Sequence, residues 1–301
     1  MPRLAANGIE IEYAVRGDAG ASPLLLVMGL GMPAAMWPEP FLDALVAQGL
    51  RVVTFDNRDS GASTRLAGTR IPNLPAAIAR ALLRRRVRAP YTLDDMAADA
   101  LGLLDGLGIA RAHVLGVSMG GMIAQVLAAR HPARIASLTS IMSSTGNPQR
   151  RVAFGTRRAL GAILRPPPPA TDIPATVAHL ERLFDVIGST GLAQDRQQRR
   201  EHLERVARCG LYREGTARQL LAILGSGDRR ELLRGIAAPT YVIHGSDDPL
   251  VPLAAGLDTA RCIRDARLEV VMGMGHDFPP APLAAIAVRI ADHCRSAAMR
   301  S

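Results

Sequence analysis

Residues 112–130 read Ala112-His113-Val114-Leu115-Gly116-Val117-Ser118-Met119-Gly120-Gly121-Met122-Ile123-Ala124-Gln125-Val126-Leu127-Ala128-Ala129-Arg130. The first five residues form a short apolar run of the kind that makes a buried strand, and from Gly120 onward the pattern has a helix period. Between them Gly116-Val117-Ser118-Met119-Gly120 fits G-x-S-x-G, a motif that carries meaning only when a strand precedes it and a helix follows. Both are predicted here. A serine on so sharp a turn sits in strained backbone, and its neighbours two residues away crowd together. Glycine at 116 and 120 removes the clash that a Cβ would create. The turn also sets Ser118 at the start of a helix, where free N–H groups and the dipole favour developing negative charge. An ordinary glycine-rich turn with an idle serine has the same local pattern, so the rest of the chain must decide.

Outward from this point, apolar runs rich in β-branched residues alternate with helix-period segments, which predicts βαβ units in a mostly parallel sheet flanked by helices. After a hairpin through Asn7-Gly8 and residues 9–16, strands are predicted at 24–28, 51–55, 112–116, 135–142, 239–244 and 267–272. The clearest helices are 39–48, 93–107 with Thr92 as N-cap, 120–131 and 281–296. The alternation breaks between about 147 and 232. There Pro166 to Pro169 form a rigid run, and the remainder reads as helices dense in Arg, Leu and Ala. The organisation expected is an α/β core of residues 1–146 and 233–301 carrying an inserted helical cap at 147–232. A second irregular stretch, 66–90, holds AIARALLRRRVR at 77–88. This reads as a basic helix, solvated beside the cap or touching a membrane surface.

A neutral serine hydroxyl is a poor nucleophile, so an imidazole must take its proton and later return it to the leaving group. Ligands of parallel sheets sit at the carboxyl ends of the strands, and two of the seven histidines end strands. His276, in Gly273-Met274-Gly275-His276, follows the last strand and precedes Pro279, in a loop where a base belongs. His244 is its rival, but it lies directly before the turn expected to bear the acid and would point away from the serine or pack beneath it. His113, His131, His179, His202 and His293 fall inside elements or in the cap. For the acid, the turn His244-Gly245-Ser246-Asp247-Asp248-Pro249-Leu250-Val251-Pro252 offers two adjacent carboxylates. Asp248 fits a G-x-x-D-x-x-V-P turn, leaving Asp247 to cap the turn or meet solvent. The chain order Ser, Asp, His differs from the orders of the chymotrypsin and subtilisin types.

Two backbone N–H groups must also be aimed at the tetrahedral oxygen. Met119 N–H follows the nucleophile directly, and Leu30 N–H lies in the tight Gly29-Leu30-Gly31 turn after the 24–28 strand. Methionines cluster beside these loops, predicting a deformable apolar pocket wall. The lining expected is Met28, Gly29, Met32, Met36, Met122 and Met274, with core filling the equal alternative for any one of them.

At 301 residues and 48% hydrophobic the chain supports a large folded core, not a disordered one. No apolar run is long enough for a membrane span. The start, MPRLAANGIEIEY, lacks the apolar region of a secretory signal, and the mature chain is expected to begin there. Three scattered cysteines fit neither a disulfide framework nor a metal site, so a cytoplasmic location is expected. The net charge of +9 would suit polyanions, yet every basic residue is Arg and no nucleic-acid motif accompanies them. A compositional bias explains this better, so no nucleic-acid partner is expected. No His, Asp or Glu cluster has ligand spacing, so neither a metal nor an organic cofactor is expected.

In order, VMGLG, FDNRDSGAST, HVLGVSMGG, HGSDDPLVP and GMGHDFP resemble the α/β-hydrolase superfamily over nearly the whole chain, and within it the aclacinomycin methylesterase type. The resemblance implies Ser118, Asp248 and His276 as the triad and Leu30 and Met119 as oxyanion donors. The chain departs from many members in reading Met28-Gly29 where they have HG, and Arg58-Asp59 where they have RG. Asp56 and Arg58 are expected to form a structural pair fixing their loop. A serine rather than an aspartate at 118 argues against chemistry that needs a carboxylate nucleophile, as in dehalogenases and epoxide hydrolases. The function expected is hydrolysis of a small or medium, partly apolar carboxylic ester. A cofactor-free perhydrolase or haloperoxidase, a lactonase or a C–C hydrolase with the same triad is the alternative, and a non-catalytic binding protein the rival from another class.

Overall fold

The computed structural model describes residues 2–192 and 195–299. Its chain begins with β1 (Arg3–Ala6) and β2 (Ile9–Arg16), paired antiparallel with Ala6 opposite Ile9. Asn7 at φ 47° and Gly8 at φ 77° make the two-residue turn between them, the left-handed pair that a tight hairpin requires. Then follow β3 (Ser22–Val27), α1 (Glu39–Ala47), β4 (Leu50–Phe55), α2 (Leu74–Leu82), α3 (Leu93–Gly106), β5 (Ala112–Val117), α4 (Met119–Arg130) and β6 (Ile135–Ile141). Six helices come next: α5 (Arg150–Ala153), α6 (Arg157–Ile163), α7 (Ile173–Ile187), α8 (Arg196–Arg208), α9 (Arg213–Ser226) and α10 (Arg230–Arg234). The chain closes with β7 (Thr240–Gly245), α11 (Leu253–Cys262), β8 (Arg267–Val271) and α12 (Pro280–Ala298).

The eight strands form one sheet in the order β1-β2-β4-β3-β5-β6-β7-β8, parallel from β4 to β8. Both faces are covered, which explains why the inner strands read as continuous apolar runs instead of alternating ones. The pleat divides them: Leu25 and Val27 of β3 pack with α3 and α4, while Leu24 and Leu26 pack with α1 and α12. From β3 the chain first builds β4 on one side and then crosses to β5 on the other. The carboxyl ends of β3 and β5 therefore flank the crevice where such sheets take ligands.

Thr92 caps α3 with a reciprocal capping box to Asp95. The basic helix expected over 77–88 is shorter. It stops at Leu82, where Arg84 turns left-handed at φ 54° and Arg85 N–H closes onto Arg80 O. Helices α7 and α8 share a small apolar cluster of Val177, Leu180, Leu203 and Val206, against which loop residues of the sheet domain pack. The insert's small apolar clusters share Met32, Met36 and Leu250 with loops at the sheet's carboxyl edge. Helix α10, which straddles residue 232, packs on α4 and α11. Among the described residues no helix is long and apolar enough to cross a membrane.

Candidate active site

Strand β5 runs straight into Ser118, which holds φ 54° and ψ −120° before α4 begins at Met119. That conformation is costly for a side chain bearing a Cβ. It is held because Ser118 N–H donates to Ile141 O at 3.0 Å and Ser118 O accepts from Ser143 Oγ at 2.7 Å. A Cβ on Gly116 would lie 2.1 Å from Gly120 O, and one on Gly120 would lie 2.0 Å from Val27 O. Both obstacles are backbone, so no side-chain adjustment would relieve them.

His276 comes from the loop between β8 and α12 and Asp248 from the turn after β7. His276 Nε2 lies 3.0 Å from Ser118 Oγ, and His276 Nδ1 lies 2.7 Å from Asp248 Oδ2. A carboxylate only accepts, so the neutral ring carries its proton on Nδ1 and leaves Nε2 free to accept from the serine. Asp248 is buried, and its other oxygen, Oδ1, accepts from Leu250 N at 2.9 Å and Val251 N at 2.8 Å. Those two bonds fix which oxygen faces the imidazole.

The rival residues lie elsewhere. His244 is fully buried beneath the acid, with Nε2 2.8 Å from Val251 O and 3.7 Å from Asp248 Oδ2. Burial holds its pKa below the ordinary histidine value, against the raising effect of the Val251 carbonyl. Because a carbonyl can only accept, Nε2 carries its proton. Asp247 is exposed and accepts from Ser246 Oγ at 2.7 Å.

Leu30 and Met119 bracket the serine. Met119 opens α4, where a helix leaves its N–H without an intrahelical acceptor. The loop after β3 reaches the same point, for a Cβ on Gly29 would lie 3.9 Å from Ser118 Oγ. Gly31, at φ 67°, donates its N–H to Gln219 Oε1 at 2.7 Å.

Sequence reasoning missed Gln219, Arg218 and Ser189. Gln219, on α9, is fully buried and also donates to Arg58 O at 2.7 Å. Beside it Arg218 forms a bidentate pair with Asp59, at 2.8 and 2.7 Å, inside the molecule. At the far side of the site, His276 N–H donates to Ile187 O at 2.7 Å, and Ser189 Oγ accepts from Gly275 N at 2.8 Å. The helical insert thus grips both the Gly29–Gly31 loop and the histidine loop. Gln219 and Arg218 sit inside a helix and Ser189 just after one, with no local signal of their partners, so no motif could have exposed them.

Two expectations need correction. Met274 does not line the cavity. It is buried among Trp37, Phe41 and Ile286, because the Gly273 turn at φ 74° carries it to the α1–α12 side of the sheet. Asp56 and Arg58 both fix their loop but not as a pair. Asp56 accepts from Ala34 N at 2.6 Å and Ala62 N at 2.8 Å, whereas Arg58 reaches across to Asp99 with two bonds of 2.5 Å. Burial raises the Asp56 pKa, opposed by those two N–H groups.

Ser118 and His276 open into a cavity of about 780 Å³, a size suited to a small organic ligand. Met28, Gly29, Met32, Met36 and Met122 line it near the serine, and Phe184 of α7 and Leu220 of α9 roof it. Among the described residues no group of three or more His, Cys, Asp or Glu could hold a metal ion.

A family described as alpha/beta hydrolase fold matches residues 22–279. Rhodomycin D methylesterase DnrP of Streptomyces peucetius is 28% identical over 298 residues, which cover 93% of each chain. The 2-hydroxy-6-oxononadienedioate/2-hydroxy-6-oxononatrienedioate hydrolase of Paraburkholderia xenovorans is 28% identical over 89% of this chain and 84% of its own. Among solved structures, the enol-lactonase of Burkholderia xenovorans LB400 superposes with a TM-score of 0.72 at 26% identity, covering 97% of this chain and 99% of that one.

Proposed function

The chain belongs to the α/β-hydrolase fold family, and from that premise we propose that it is a serine esterase acting on a small or medium, partly apolar carboxylic ester. The observation that carries this reading is the continuous relay from Asp248 Oδ2 through His276 to Ser118 Oγ, at 2.7 and 3.0 Å, opening into a largely apolar cavity. In this reading Ser118 Oγ attacks the ester carbonyl while its proton passes to His276 Nε2. The ring is then cationic, and Asp248 stabilises that charge while holding the ring in place. Leu30 and Met119 N–H groups receive the carbonyl oxygen as it becomes negative. His276 returns the proton to the leaving alcohol, which departs and leaves an acyl ester on Ser118. Water then enters, gives a proton to Nε2 and attacks the acyl carbon; the bond to Ser118 Oγ breaks, His276 returns the proton to Oγ, and the carboxylic acid departs. Residues 147–232 serve as the cap that shields this acyl ester. The relative named as a rhodomycin D methylesterase supports hydrolysis of an ester. The cysteines among the described residues are all unbridged, which fits the reducing, cytoplasmic setting of this reading.

The test is Ser118→Ala together with a fluorophosphonate probe. One mole of label per mole of chain is expected on the native protein and none on the variant. The variant's kcat on p-nitrophenyl butyrate should fall by about 10⁴- to 10⁶-fold. An unlabelled native chain, or a variant of near-native rate, removes the proposal. The relatives named as a lactonase and a hydrolase of 2-hydroxy-6-oxo acids favour a second reading of the same triad, lactone or C–C cleavage. A panel of graded p-nitrophenyl esters, a polyketide methyl ester and an enol lactone separates these.

A further inference from the structure

We propose that the cavity carries a carboxylate subsite built on Arg229, so that the preferred ester bears an anionic group remote from the bond cleaved. This rests on the esterase reading and names its substrate class. Arg229 follows α9, lines the cavity and is only 5% exposed. Its Nη1 and Nη2 donate to Gly227 O at 3.0 Å and Ser144 O at 2.8 Å, Nε is sealed in the interior without a partner, and one further N–H on each Nη remains to be offered to a ligand. Both acceptors are neutral carbonyls, and among the described residues no carboxylate forms an ion pair with Arg229. Burial lowers its pKa to about 10, which leaves it cationic at neutral pH. Asp228 and Asp94 act on it only from a distance, so the buried cation has no contacting counterion, and a bound carboxylate would supply one.

Position supports the same conclusion. Ser144 follows Ser143, whose hydroxyl holds the carbonyl of Ser118, so Arg229 and the nucleophile grip one short segment after β6. The carboxylates lining the cavity are already engaged: Asp228 by Arg230 Nε and Nη2, and Asp277 by Ser189 Oγ. Around the same cavity Arg84, Arg85 and Arg86 are exposed, and among the described residues none forms a salt bridge. They would raise the local concentration of an anionic substrate. A single buried guanidinium matches a monoanion such as a carboxylate.

The experiment compares mono-p-nitrophenyl adipate with p-nitrophenyl hexanoate, and the suberate half-ester with the octanoate. Within each pair a carboxylate replaces a methyl group. The native chain should favour the anionic ester in kcat/KM by about 10- to 100-fold, the worth of a hydrogen-bonded charge. In Arg229→Met that ratio should collapse towards unity through KM for the anionic ester. Reading a ratio protects the result from any general loss of active protein. A native ratio at or below unity overturns the subsite, as does a high ratio that survives Arg229→Met. If no ester is cleaved, calorimetric titration of Ser118→Ala with the same half-esters decides. Tighter binding of the anionic member retains the subsite while the esterase reading falls, and equal binding removes the subsite. Hydrolysis of hexanoate with no anionic preference removes the subsite alone.

Discussion

Replacing Asp248 by Asn changes one atom of the relay, and the surrounding bonds dictate the outcome. Oδ1 accepts from Leu250 N and Val251 N at 2.9 and 2.8 Å, while Oδ2 faces His276 Nδ1 at 2.7 Å. If the amide oxygen stays with the two backbone groups, its NH2 points at Nδ1. The ring then moves its proton to Nε2, where it can no longer accept from Ser118. If the amide flips, His276 keeps the productive tautomer but two buried N–H groups face an NH2. Leaving each unmatched costs about 1–3 kcal/mol, or roughly 2–6 kcal/mol together. That penalty alone restricts the productive form to between about 3 × 10⁻² and 4 × 10⁻⁵ of molecules. Loss of the negative charge beside the imidazolium adds to it. We expect kcat for p-nitrophenyl butyrate to fall by about 10³- to 10⁴-fold with KM within about threefold. Asp247→Asn, exposed and bonded only locally, should change kcat by less than about twofold. An Asp248→Asn protein that unfolds like the native chain yet keeps a tenth of its kcat would refute the reasoning, above all if Asp247→Asn were the slower.

Ser118→Gly and Ser118→Ala should both be inactive, but only glycine relaxes the φ 54° backbone. After allowing for glycine's freer unfolded chain, urea unfolding should place the Gly variant about 1 kcal/mol above the Ala variant. Gln219→Leu should lower kcat more than it raises KM, because Gly31 N–H loses its acceptor, and an unchanged kcat would separate the helix from the chemistry. Burial pushes His113 down to about 4 from its usual 6.5. The folded state therefore stays neutral while the unfolded chain gains a proton, so stability is full above pH 6.5 and is lost as pH falls through 4, by about 3 kcal/mol. Urea midpoints from pH 7 to pH 4 should show that slope in the native chain and a smaller one in His113→Leu.

The sheet and its crevice were legible because buried parallel strands and glycine turns leave local patterns, as at 112–121 and 24–31. Ser118, Asp248 and His276 were legible for a related reason: each sits in the turn or loop leaving the carboxyl end of a strand, so chain position brings them to one edge. Met274 was misread because nearness in sequence does not say which face of the sheet a side chain enters. Arg58 was assigned to Asp56, its neighbour in the chain, whereas its partner Asp99 lies on α3. Gln219 and Arg218 left no trace at all, since their partners are more than 150 positions away.

Because Gln219 of α9 holds the Gly29–Gly31 loop, Arg218 beside it holds Asp59, and Ile187 of α7 holds His276, the helical insert and the proposed reaction machinery are one mechanical unit. Lifting the lid wide enough to free α9 would slacken the parts that do chemistry, so an open molecule is also an idle one. Under the esterase reading, substrate therefore enters while those anchors stay fastened, and the room left in the cavity limits the bulk that can reach the serine.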